Sequence, residues 1–281
     1  ALRESLAHLT NSPLVRSVVQ NAVLIGLDAL LQESHITSAV FSRDGNKVAT
    51  ASRDGTAHVW DWATGQSVTP RLKHQGYVRA IALTPDGSKL VTSSSNRAQI
   101  WEVPSGKLLA TLQHKSLVDK IVISEDSAKV VTKVGQQYAQ VWDLTTGQPL
   151  TAPLITDGFL ETVAISPDGT RVVTGTTNKR TVQIWDVATG QPIMPPLTMP
   201  SLVYHVVISP DGTKFVTATM GPVQIWDLAT GTPIGAPLKM RGPLIDVVFS
   251  ADGTKLVASA TDETVRVVDV SNGEHLLPPI P

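Results

Sequence analysis

Asp119, Glu161, His205 and Asp246 are the residues of this chain whose types could do chemistry together. Carboxylates and a neutral imidazole that converge can hold a divalent ion, and such an ion can activate water for hydrolysis. Lys120 follows Asp119 directly, and its positive charge opposes a cation in the same ring. The other histidines, His8, His35, His58, His74, His114 and His275, are scattered and show no ligand spacing. With no Cys in the chain, thiol catalysis, cysteine-ligated zinc and iron–sulfur clusters are excluded. Neither a Gly-Lys-Ser/Thr phosphate loop nor a Gly-x-Ser-x-Gly nucleophile elbow occurs. Metal-assisted hydrolysis is therefore the alternative reading, and a non-enzymatic chain without cofactor is the first.

The elements that would position these residues belong to a chain of 281 residues, long enough for one large domain. A hydrophobic content of 42% with 17% charged residues is that of a globular protein. Lys+Arg 23 against Asp+Glu 24 leaves almost no net charge, which argues against nucleic acid as a partner. No apolar run reaches the roughly 18 residues of a membrane-spanning helix.

Two landmarks recur six times. The first is an apolar stretch ending in Ser-Pro-Asp-Gly or a relative, with its Ser or Thr at positions 42, 84, 124, 166, 209 and 250. The second is an apolar-Trp-acidic triplet followed by a Gly turn. It is centred on Trp60, Trp101, Trp142, Trp185 and Trp226, with Val268 in the sixth unit. Short β-branched segments such as Arg171-Val172-Val173-Thr174 lie between them, bounded by turn residues. Each unit thus supplies about four strands, and the chain is all-β. The Asp-Gly pairs read as turn signals, not as catalytic aspartates.

This spacing, with five Trp-acidic dipeptides, resembles the WD-repeat β-propeller family, whose blades are four-stranded sheets. The resemblance covers residues 36–281 with six clear repeats, and it implies a single propeller domain over 1–281. Residues 1–35 are read as a degenerate first blade, because Leu2–Val15 aligns with Val78–Val91. Seven blades result; the alternative is six blades behind an N-terminal connector. Pro149, Pro153, Pro192, Pro195, Pro196, Pro233, Pro237, Pro278 and Pro279 fall in the outermost strands, where a missing amide donor blocks edge pairing.

The resemblance also implies a hydrogen-bonded set in each blade: His before the inner strand, Ser or Thr in the second strand, Asp in the next turn and Trp in the third strand. Only one unit keeps all four, as His35, Thr50 or Ser52, Asp54 and Trp60. His74, Trp101, Trp142, Trp185 and Trp226 are partial survivors in the others. All are read as structural.

Function falls to the variable positions of the inner strand, counted back from the Ser or Thr. Position −2 is apolar and small (Val40, Ala82, Val122, Ala164, Val207, Val248), as expected for a channel neck. Positions −4 and −5 bring Lys120, His205, Asp246, Arg79, Asp119, Glu161 and Tyr204 toward a channel mouth, with Phe159 beside them. The family usually binds partners there, and Arg and Tyr suit interface hot spots. The implied function is a protein- or peptide-binding scaffold or sensor. The Ala-Thr-Gly-Gln-Pro turn at 188–192 resembles bacterial members, in which propellers are fused to signalling NTPases or Ser/Thr kinases. The Ala-Leu-Arg-Glu-Ser-Leu start fits a connector to an upstream domain, and the expected location is the cytoplasm.

Overall fold

The computed structural model describes residues 35–240, 242, 244–262 and 264–277. Among them there are six antiparallel sheets and no helix. The first sheet holds β1 (Ile36–Phe41), β2 (Lys47–Ser52), β3 (Thr56–Asp61) and β4 (Leu72–Lys73). The second holds β5 (Val78–Leu83), β6 (Lys89–Ser94), β7 (Arg97–Glu102) and β8 (Leu108–Gln113). The third holds β9 (Val118–Ile123), β10 (Lys129–Val134), β11 (Tyr138–Asp143) and β12 (Leu154–Ile155). The fourth holds β13 (Leu160–Ile165), β14 (Arg171–Thr176), β15 (Thr181–Asp186) and β16 (Leu197–Thr198). The fifth holds β17 (Val203–Ile208), β18 (Lys214–Thr219), β19 (Val223–Asp227) and β20 (Pro233–Leu238). The sixth holds β21 (Leu244–Phe249), β22 (Lys255–Ala260) and β23 (Val265–Asp269). Strands follow chain order within every sheet, as in propeller blades. The eroded blade or connector expected at 1–35 lies, but for His35, outside the described residues.

The strands fall into two compact units, one reaching Gly135 and including Trp142–Pro149, the other made of Gln136–Val141 and Leu150 onward. In the first unit β1 lies beside β5, and β5 beside β9. In the second, β13 lies beside β17, and β17 beside β21. Sheets pack face to face through their second strands. In the second unit Val173, Val182 and Ile184 meet Val203, Val206 and Phe215, and Val216, Ala218 and Ile225 meet Val247, Leu256 and Val268. A strand covered on both faces is buried throughout, which is why β2, β6, β10, β14 and β18 show five buried residues in a row, Thr50, Thr92, Thr132, Thr174 and Thr217 among them.

The inner strands depart from the period of two. Position −5 has no partner across the ladder in any of them. Ile36 pairs with Ser52 and Ser38 with Ala51, so Thr37 is skipped, and the same shift recurs in β5, β9, β13, β17 and β21. This is a β-bulge, two residues opposite one. It turns positions −6 and −3 to the same side, so that Val78 and Ile81, or Val203 and Val206, are both buried. Thr37, Arg79, Asp119, Glu161, Tyr204 and Ile245 are the bulged residues.

The turn leaving each inner strand is closed by its own side chains. Ser42 Oγ donates to Asp44 Oδ1 at 2.5 Å, and the Lys47 amide donates to Ser42 Oγ at 2.9 Å. The same arrangement recurs at Ser124, Ser166, Ser209 and Ser250. The hydroxyls of Ser42 and Ser250 lead in holding Asp44 and Asp252 at about 2. Partial burial raises Asp211, yet Ser209 and the Thr213 amide outweigh it and bring that carboxyl also to about 2. A carboxyl lowered on folding contributes stability above its unfolded pKa and loses it as pH falls through its folded pKa. Urea midpoints are therefore expected to hold down to about pH 4 and to drop between pH 4 and 2. An unchanged midpoint over that window would contradict these bonds.

Glycine at φ near +70° completes the turn after Asp44, Asp86, Asp168, Asp211 and Asp252, but Ser127 holds φ 57° in the third repeat. That conformation disfavours a residue with Cβ by about 1 kcal/mol. Ser127→Gly is expected to stabilise the protein by about 0.5–1 kcal/mol in urea denaturation, with only a 3.4 Å contact to the Asp86 amide lost.

Outer strands follow their prolines. β8 has none and runs six residues, whereas β12 and β16, preceded by Pro149 and Pro153 or by Pro192, Pro195 and Pro196, are two residues long. β20 keeps six residues despite Pro233 and Pro237, with a register shift in its ladder. In the sixth sheet His275 bridges Val268, and the Leu276 amide donates to Val267 O at 2.9 Å. Pro278 and Pro279 lie outside the described residues.

Candidate binding surface and the tryptophan sites

Each repeat tryptophan is tied to a threonine on the second strand of its sheet. The indole Nε1 donates to Thr50 from Trp60 at 2.9 Å, to Thr92 from Trp101 at 2.8 Å and to Thr132 from Trp142 at 3.0 Å. Trp185 reaches Thr174 and Trp226 reaches Thr217, both at 2.9 Å. A buried indole N–H needs such an acceptor. The acid after each Trp closes the following turn: Asp186 accepts from the Thr189 amide and hydroxyl, both at 2.9 Å. In the sixth sheet Ala258 and Val268 stand where Thr and Trp would be, and both are buried. Donor and acceptor have gone together, so neither is orphaned.

Histidine joins the pair in two repeats. His74 Nε2 is 2.8 Å from Thr92 Oγ1, and Nδ1 is 3.3 Å from Gly55 O. Nδ1 therefore donates to the carbonyl and Nε2 accepts from the hydroxyl. The ring meets Trp101 edge-on at 5.3 Å, and His114 meets Trp142 likewise at 5.1 Å. Burial pushes His74 below its ordinary range and His114 down to about 4. Both are neutral packing rings at neutral pH.

His35 does not take this place. It lies seven residues before its Ser, where His74 and His114 lie ten before theirs, and it is exposed at φ 60°. Asp54 closes its own turn, accepting from the Thr56 amide at 2.9 Å and hydroxyl at 2.6 Å. The histidine against Trp60 is instead His58, buried on β3 with ring centroids 4.9 Å apart.

Sheets of this order, carrying an apolar-Trp-acid triplet whose indole is bonded to the second strand, agree with a match to the family model of the WD domain, G-beta repeat. That model matches residues 29–61, 66–102 and 151–186. These are WD40 repeats. WD repeat-containing protein 1 of Gallus gallus is 38% identical over 82 residues, 28% of this chain and 14% of the relative. Apoptotic protease-activating factor 1 of Rattus norvegicus is 27% identical over 158 residues, 52% of this chain and 12% of the relative. Small ribosomal subunit protein RACK1 of Drosophila melanogaster is 28% identical over 99 residues, 34% of this chain and 30% of the relative. Among these curated relatives the chain thus spans a minor part of each. Of solved structures, the computationally designed Ika8 protein superposes with a TM-score of 0.77 at 25% identity, over 87% of this chain and 74% of that one.

The sheets place the candidate residues at one end of the inner strands, unit by unit. In the first unit Arg79 is an exposed bulge residue on β5, and Asp119 and Lys120 lie on β9. Asp119 is held by Lys133 of β10, with Nζ 2.8 Å from Oδ2. In the second unit Phe159 precedes β13, Glu161 lies half-buried on it, Tyr204 and His205 lie on β17, and Asp246 is exposed on β21. Among the described residues no group of three or more His, Asp or Glu is placed to hold a metal ion. At position −2, Ala164 is buried and Val248 is 48% exposed.

Phe159 and Tyr204 are candidates from the sequence already, and Ile245 joins them on its exposure. Phe159, Tyr204 and Ile245 are 52%, 37% and 46% exposed, at equivalent ends of the adjoining strands β13, β17 and β21. Ile245 is the bulged residue of its strand, and only the bulge explains why an isoleucine two places from buried Val247 stands in solvent.

Proposed function

We propose that this WD40 chain is a non-catalytic binding module that takes a protein or peptide partner at the bulged ends of its inner strands. The observation that carries this is the row of Phe159, just before β13, Tyr204 on β17 and Ile245 on β21, large apolar side chains left in water. Such side chains gathered at one end of a sheet stack gain free energy when a partner covers them. Glu161, His205 and Asp246, of the same unit, supply the polar rim that sets orientation. The relatives support the class of function: one is by name a ribosomal subunit protein and another a protease-activating factor. In this reading the module serves a longer signalling protein of the cytoplasm, as scaffold or sensor.

The test is affinity capture from cells of the source organism, followed by titration of the purified partner. Triple Ser replacement of Phe159, Tyr204 and Ile245 is expected to weaken binding at least 100-fold, since each buried aromatic or aliphatic anchor contributes about 1–2 kcal/mol. Ser replacement of Leu108 and Leu109, exposed apolar residues of β8, is expected to leave it unchanged. The reverse pattern would move the site to the outer strands.

A further inference from the structure

The bulged end of the first unit carries a local charge excess that the near-neutral chain conceals. Hydrogen bonds join its sheets there: Thr37 Oγ1 donates to Val78 O at 2.5 Å, and the Val118 amide donates to Ser95 O at 3.0 Å. Arg53, Lys73, Arg79, Arg97 and Lys115 are exposed at this end, and among the described residues none of them is paired with a carboxylate. The carboxylates described there, Asp54 and Asp119, are already engaged. Asp54 accepts from the Thr56 amide and hydroxyl beside the Arg71 charge, and Asp119 holds Lys133. Like charges gathered at one end repel one another, so the fold gains no stability from them, and a bound anion would relieve the repulsion.

Of these cations Arg97 and Lys73 border one cleft of about 350 Å3, with Gln75, Ser95 and Asn96 in its wall. Neutral groups hold Arg97 in a fixed plane. Its Nε donates to Gln113 Oε1 at 3.1 Å and its Nη1 to Gln75 Oε1 at 3.3 Å. Gln113 is itself pinned, since its amide nitrogen donates to His114 O at 3.2 Å. The guanidinium is thus oriented but not neutralised. Asn96 Nδ2 is spent on His114 O and Ser94 Oγ on Gly76 O, both at 3.1 Å. Ser95 differs. Its φ is 53°, a backbone that favours glycine. Its hydroxyl, 3.4 Å from where a Cβ on Gly76 would stand, faces the segment that carries Lys73 and Gln75. A strained residue that keeps a hydroxyl where glycine would be easier, in a cleft of uncompensated cations, points to a ligand.

We propose that this cleft binds a phosphomonoester dianion, with Arg97 and Lys73 supplying the charge and the Ser95 hydroxyl a third donor. The charge selects the ligand. A phosphomonoester carries about −1.5 to −2 at pH 7 and three acceptor oxygens, which suits two cations and a hydroxyl. A carboxylate or a phosphodiester carries a single charge and would leave one cation uncompensated. An oriented guanidinium can meet two phosphate oxygens at once. The ester is free or is the phosphorylated side chain of a partner. The site lies wholly in the first unit, so it stands apart from the row of Phe159, Tyr204 and Ile245.

The experiment uses the 15N-labelled whole chain at pH 7.5 and constant ionic strength. Methyl phosphate is titrated and read at the Asn96 amide, which every variant retains. A saturable shift in the millimolar range is expected. Acetate and dimethyl phosphate are expected to bind about five-fold more weakly or worse. Arg97→Gln and Lys73→Gln should each weaken methyl phosphate about five-fold or more, and Lys115→Gln, outside the cleft lining, less than about two-fold. Ser95→Gly should weaken it about two-fold or more while raising the melting temperature, since glycine takes φ 53° without strain. Circular dichroism melts establish that each variant is folded. A parent with no saturable shift would overturn the proposal. So would equal binding of acetate, or folded Arg97→Gln and Lys73→Gln variants that bind as the parent does. Equal binding of dimethyl phosphate would overturn it in favour of a nucleic-acid backbone. A blocked phosphoserine peptide run beside methyl phosphate separates the sources: tighter binding of the peptide supports a partner's side chain, and tighter binding of methyl phosphate supports a free ester.

Discussion

Asp119→Ala is expected to destabilise the protein by about 2–3 kcal/mol, far more than loss of an ordinary surface carboxylate. The reason is the partner it would leave behind. The Lys133 side chain is 7% exposed, and its ammonium meets Asp119 Oδ2 at 2.8 Å. Lys120 lies directly opposite Lys133 in the ladder, so without the carboxylate two like charges face each other in a packed sheet. Breaking a buried pair from one side costs about 3–5 kcal/mol, and the partial exposure of Asp119 reduces that. Removing both charges with Asp119→Ala and Lys133→Met should recover most of the loss, because an apolar side chain suits the site. Urea denaturation of the two single variants and the double variant checks this. A single Asp119→Ala variant within 0.5 kcal/mol of the parent would mean that Lys133 is not held by this pair. The same geometry bears on chemistry: a carboxylate engaged by a buried lysine is a poor ligand for a cation.

The second large effect concerns the tryptophan pairs. Trp185→Val should cost about 3–5 kcal/mol, the usual range for a large core aromatic cut down. Part of that is the cavity, and part is Thr174, whose oxygen loses its 2.9 Å donor while fully buried. Thr174→Ala alone orphans the indole N–H and should cost about 1–2 kcal/mol. The double variant reproduces the Val268 and Ala258 pair of the sixth sheet. It is expected to be less destabilised than the sum of the singles by about 1 kcal/mol, measured as the coupling in a double-mutant cycle. Strict additivity would show that the hydrogen bond carries no coupling and that the paired replacement in the sixth sheet has no such origin.

Much of this fold could be read from residue types because the landmarks are local. Ser-x-Asp-Gly makes its turn from its own hydroxyl, carboxylate and left-handed glycine, and the Trp-acid pair ends a strand and caps the next turn. Both signals survive in isolation, so the strand pattern of residues 36–269 followed from them. The bulge at position −5 was not legible, because it changes which residues face each other without changing any residue type. Positions −6 and −3 being apolar together was its trace. His35 misled for a related reason: only the offset from the landmark separates it from His74, and three residues of backbone put it in solvent. His58 gave no signal, since a histidine inside a strand has no fixed partner until the sheet is paired. For the candidate surface, the charged members, Tyr204 and Phe159 were visible from their places in the repeat, whereas Ile245 gained meaning from its exposure.

The most direct test of the binding account is a photoreactive phenylalanine analogue placed at position 204, and in a separate variant at position 109, each illuminated with the purified partner. The account predicts a covalent adduct from position 204, between Phe159 and Ile245, and none from position 109. An adduct from position 109 alone, or equal adducts from both, would contradict the assignment of the partner to the bulged ends of the inner strands.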